Sequence, residues 1–96
     1  MQFRRVSKSK ADYSKCAVVL LVESDCGVRA KLRVPDSSVW GPEDSVEKTL
    51  ELAFEAVGST SYAKEVIHVI DDERIWNCDH GELIDDPDRL VHLIKK

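Results

Sequence analysis

Cys78, Asp79 and His80 are consecutive, and residues 71–88 around them hold eight carboxylates and a single Arg. Thiol, imidazole and carboxylate are the groups that bind metals or move protons, so chemistry is sought here first. The spacing argues against both uses. Zinc sites draw on spaced ligand pairs such as CxxC or HxxxH, and three successive residues on a strand or turn cannot all face one ion. The run Asp79, His80, Gly81, Glu82 lacks the alternating oxygen ligands of a calcium loop. His68, His80 and His92 recur at even intervals that follow no ligand pattern. No metal and no cofactor is expected. Catalytic signatures are also missing: no GxSxG, P-loop, dinucleotide-binding glycine pattern or zincin motif occurs. An enzyme would need a Cys–His or Asp–His pair assembled only in space, and no catalytic residue is assigned. Cys16 opens an apolar run and reads as a small core residue, while Cys26 reads as an exposed turn thiol.

Charge is the stronger signal. Residues 1–34 carry eight Lys/Arg against three Asp/Glu, and residues 35–96 carry six against fifteen, so a net charge of −4 conceals opposite halves. Two acidic sets stand out. One is Asp71, Asp72, Glu73, Asp79, Glu82, Asp85 and Asp86, with Trp76 among them. The other is Glu47, Glu51 and Glu55, which recur every fourth residue on the solvent side of an expected helix, where like charges cost a few tenths of a kcal/mol per pair. Together they predict a negative surface offered to a larger basic protein or nucleoprotein complex. Turns and N-caps favour Asp one position at a time, which accounts for single residues but not for the sum. If Ile75 is the core residue, Trp76 is an interface anchor; if Trp76 is core, the interface loses that residue.

The opposite charge suggests an alternative. Arg29, Lys31 and Arg33 share one strand face at about 6.6–7 Å spacing and, with Arg4 and Arg5, could track the phosphates of a nucleic acid. No aromatic residue interleaves them on that strand, so the preferred reading is that they are solvated or meet the protein's own acids across the sheet.

The elements that must position these groups follow from periodicity. Residues 16–23 are almost continuously apolar, as in a strand covered on both faces. Residues 28–34 alternate strictly, and Gly27 supplies the turn, so 16–34 reads as an antiparallel hairpin with one basic face. Asp44 as cap with Glu47 as capping-box acid starts a helix. Val46, Leu50, Ala53 and Val57 form its apolar stripe, and Gly58 ends it. Trp40, in the preceding loop, is expected to close the core edge. Residues 64–70 read as a strand, with a helix from Tyr62 as the alternative; residues 74–78 read as a fourth strand. Asp86 with Pro87 begins a short C-terminal helix. Residues 1–15 form a basic arm or an edge strand near Phe3.

The expected architecture is a single α+β domain over residues 1–96. It is a two-layer arrangement with an antiparallel sheet of about four strands in ββαββα order and one main helix on a face. At 96 residues there is room for one core. No apolar run nears the roughly 18 residues of a membrane helix, and the basic N-terminus lacks a signal-peptide core. Three cysteines, an odd number without scaffold spacing, favour reduced thiols, so a cytoplasmic protein is expected. An exposed edge strand would let two copies pair. In size, acidity and ββαββ order the chain resembles small phage-encoded anti-defence proteins such as the anti-CRISPRs, compact inhibitors of nucleic-acid machinery. The resemblance implies a non-enzymatic inhibitor. It rests on general character, and no residue role is carried over from it.

Overall fold

The computed structural model describes residues 2–25, 27–60 and 65–85. In chain order these form β1 (Gln2–Arg5), β2 (Ala17–Ser24), β3 (Gly27–Arg33), β4 (Asp44–Ser45), α1 (Val46–Ser59), β5 (Val66–Ile70) and β6 (Leu83–Asp85), with a 3₁₀ turn at Cys78–His80. The fold is α+β, with one main helix and a mixed sheet of six strands ordered β4-β3-β2-β5-β1-β6. No helix among the described residues is long and apolar enough to cross a membrane.

Local signals hold well. The β2–β3 hairpin is antiparallel from Val18↔Arg33 to Ser24↔Gly27, and Gly27 takes φ 103°, a conformation that costs a glycine little. The α1 stripe Val46, Leu50, Ala53 and Val57 is buried against β2 and β3. Residues 66–70 are a strand, which resolves that segment in favour of the first alternative; residues 61–64 lie outside the description, as does Cys26.

Long-range pairing departs from expectation. The sheet is not antiparallel: β2 with β5, β5 with β1 and β1 with β6 are all parallel. The basic arm is therefore an interior strand, in which Phe3 sits between Ile67 and Leu83. From its end, residues 7–15 return across the sheet face opposite α1, where Ala11 and Tyr13 pack with Val6, Val18, Leu20, Ile70 and Trp40. That second apolar layer explains why β2 is buried on both faces. Residues 74–77 are not a strand, because the Asp71 carboxylate accepts hydrogen bonds from the Ile75 and Trp76 N–H groups and folds the chain back on itself. Arg74 takes φ 55° there. The helix cap is Ser45, whose Oγ accepts from Lys48 N–H, rather than Asp44, whose carboxylate accepts from Ser45 N–H. Gly58 does not end α1, which continues to Ser59. The expected C-terminal helix, including Asp86, lies outside the described residues. Among the described residues, both sheet edges are short, two residues in β4 and three in β6.

Candidate functional site

Parallel pairing brings the C-terminal ends of β5, β1 and β6 together. Arg5, which pairs with Val69 and Asp85, therefore points its guanidinium between two carboxylates. Its Nη1 lies 2.5 Å from Asp85 Oδ1 and its Nη2 lies 3.3 Å from Asp71 Oδ2. The Asp71 side chain is wholly buried, with both backbone bonds and the guanidinium on its two oxygens. Such a carboxylate is an internal fastener. A buried group with its lone pairs occupied cannot be presented to a partner.

Next along the chain, residues 75–80 border a cavity of about 180 Å³ lined by apolar Leu21, Val28, Val46 and Ile75 together with Glu47, Trp76, Asn77 and His80. Ile75 and Trp76 both pack on the core, because without a strand at 74–78 the two need not point to opposite faces; Trp76 is therefore no exposed anchor, and it lines the cavity as a half-buried residue. Trp76 stacks on Phe3 with ring centroids 5.1 Å apart, meets His80 edge-on at 5.5 Å and donates from Nε1 to the Gly81 carbonyl at 2.9 Å. Gly81 is required there. Its φ is 129°, and an added Cβ would lie 2.9 Å from the Phe3 ring. Asn77 is occupied in accepting from Asp79 N–H. The cavity is smaller than the roughly 300–1,000 Å³ usual for small-molecule sites, so it suits one inserted side chain better than a substrate.

Comparison with protein-family models, curated proteins and solved structures finds no match to this chain.

The acidic candidates divide by placement. Glu47, Glu51, Glu55, Asp72, Glu73, Asp79 and Glu82 are exposed, Asp85 is half-buried against Arg5, and Asp71 is buried. Glu47 meets Ile75, Trp76, Asn77 and His80 at the cavity, and it is the one acidic candidate among the lining residues. Glu51 and Glu55 continue from there along α1, about 6 Å further per step. None of the three helix glutamates makes an ion pair among the described residues.

The basic candidates divide too. Arg5 is taken by the fastener. Arg4 stays on the face opposite α1 but on β1, three strands from Arg33, or about 14 Å at normal strand spacing. Arg29, Lys31 and Arg33 remain together, and their cross-strand neighbours are Val22, Leu20 and Val18. No acid opposes a cation on the β2 side, while on the β4 side Arg29 opposes Ser45. Among the described residues, the one carboxylate in reach is Glu43, 3.9 Å from Arg29 Nε, with both groups partly exposed. Tyr13 and Trp40 flank Arg33, an arrangement that loop residues without periodicity could not announce in the sequence.

A spatial thiol–imidazole pair also exists. Cys16 Sγ lies 3.8 Å from His68 Nε2, but Cys16 is fully buried. His68 Nδ1 accepts from Asp12 N–H at 3.1 Å, so in the neutral ring Nε2 carries the hydrogen and has no lone pair with which to take the thiol proton. Nε2–H instead donates to the Cys16 sulfur, a part-buried hydrogen bond that fixes the ring. Among the described residues, no three His, Cys, Asp or Glu side chains converge on a common metal position.

Proposed function

We propose that this protein is a non-enzymatic interaction module whose acidic side binds a larger basic partner, such as a protein with a cationic groove that otherwise holds nucleic acid. The observation that carries the reading is the shared cavity, where Glu47 from α1 borders Trp76 and His80 from the loop. A Lys or Arg side chain from a partner would lay its aliphatic stem on the apolar lining. Its charge would then meet Glu47 and the Trp76 ring. The ridge beyond adds Glu51 and Glu55 between two half-exposed apolar residues, Leu52 and Phe54 at 39% and 41% exposure. An apolar contact bordered by unpaired charge fits an interface core with its rim. An inhibitor of nucleic-acid machinery would work in this way, by filling a groove meant for phosphates. The support is this charge geometry alone, because the observed strand order differs from the ββαββ order behind the anti-defence resemblance.

The test is capture from extracts of the native cell on immobilised protein at low salt, with salt elution. Glu51→Lys with Glu55→Lys, and separately Glu47→Gln, should release the captured partner, whereas Arg29→Ala with Lys31→Ala should retain it. Undiminished capture of the same partner by the glutamate variants would overturn the reading.

A further inference from the structure

Opposite the acidic side, three cations stand on β3, and among the described residues Arg29 alone of them has a carboxylate in reach. We infer that this face, Arg29, Lys31 and Arg33 with Tyr13 and Trp40, is a binding site for single-stranded nucleic acid. The inference is independent of the acidic-side reading and uses none of its residues.

Three observations support it. The first is the ladder itself: side chains two residues apart on a strand repeat at about 6.6–7 Å, comparable to the distance between successive phosphates of an extended strand. Its neighbours on β2 are aliphatic, so the positive field is not cancelled within the sheet. Glu43 touches only Arg29, at a distance and exposure where such pairs contribute little.

The second is the fixing of Arg33. Its Cζ lies 4.2 Å from the Tyr13 ring centroid and 5.9 Å from that of Trp40, and its Nε donates to the Ser37 carbonyl at 2.7 Å. Both terminal nitrogens are left without a partner among the described residues, in a plane already set. A pre-oriented guanidinium loses less freedom when it takes a phosphate than a free side chain does.

The third is the aromatic pair. Tyr13 and Trp40 meet edge-on at 6.2 Å, half-buried at the margin of the ladder, and the Tyr13 hydroxyl donates to the Lys8 carbonyl, which keeps an exposed lysine nearby. Arg33 covers one face of the Tyr13 ring, so a base would stack on the guanidinium plane or on Trp40; cations along a backbone track beside a stacking surface are the two ingredients of single-strand binding. A duplex keeps its bases stacked inside and could use only the cations.

The test is fluorescence anisotropy of the full chain with a labelled oligothymidylate of about eight nucleotides, within the usual site size. The salt dependence of log K should have a slope of about −2 for three phosphate contacts to a single strand. Arg29→Ala with Lys31→Ala, which touches neither the core nor the Arg33 stack, should reduce it to about −0.7 while circular dichroism stays unchanged. An abasic strand of equal length should bind about tenfold more weakly, reflecting lost stacking. Absence of binding at low salt, an unchanged slope in the double variant, or equal affinity for the abasic strand would each overturn the proposal. The last result would mark a plain polyanion contact.

Discussion

Replacing Asp71 by Ala removes the acceptor for Ile75 and Trp76 N–H, at 2.8 and 3.0 Å, and one of the two partners of Arg5. An orphaned buried donor costs about 1–3 kcal/mol, and breaking a buried ion pair costs about 3–5 kcal/mol. These terms belong to one network and do not add. Arg5 also keeps Asp85, whose side chain is 31% exposed and can share the charge with water. The expected loss is therefore about 3–5 kcal/mol, a large share of the roughly 5–15 kcal/mol that holds a typical domain together. At about 4–8 °C per kcal/mol for a chain of this size, the melting temperature should fall on the order of 12–40 °C. Asp71→Asn keeps one oxygen acceptor and should lose less. Asp72→Ala, one residue on but exposed, should stay within about 0.5 kcal/mol of the parent. Urea denaturation followed by circular dichroism measures all three. If Asp71→Ala lies within about 1 kcal/mol of Asp72→Ala, the carboxylate does not hold the 71–76 loop, and the argument for its internal role fails.

Two further outcomes follow from the same geometry. Gly81→Ala places a methyl group against the Phe3 ring at a positive φ and should destabilise by about 1–3 kcal/mol, with a change in near-ultraviolet dichroism from the displaced Trp76; a neutral result would mean that the 81–82 backbone can turn over freely. Peptide mapping after iodoacetamide should find exposed Cys78 modified in the folded protein and buried Cys16 modified only after denaturation, and early labelling of Cys16 would contradict the two-sided cover over β2.

What could be read without coordinates was local. The hairpin register and the α1 stripe each depend on residues a few positions apart, and alternation and helical spacing report those directly. The same logic failed at 74–78, where an apparently strand-like run is turned by one carboxylate a few residues upstream. A turn made by a side-chain acceptor leaves no periodic trace. For the cations, alternation placed Arg29, Lys31 and Arg33 on one face but could not name their neighbours, which on β2 are aliphatic.

The sequence by itself determined which segments are amphipathic, where charge of each sign accumulates along the chain, and that no known catalytic signature is present. Tertiary structure alone decided which charges remain available. Arg5 reaches Asp71 across 66 residues and Asp85 across 80, through parallel pairing of strands that nothing local specifies. That pairing withdraws Asp71 from the surface and turns a basic arm into an interior strand. It also leads residues 7–15 over the far face of the sheet, where Tyr13 meets Arg33. Periodicity encodes which face a side chain takes on its own element, whereas strand order is settled by crossovers whose closure depends on the whole core.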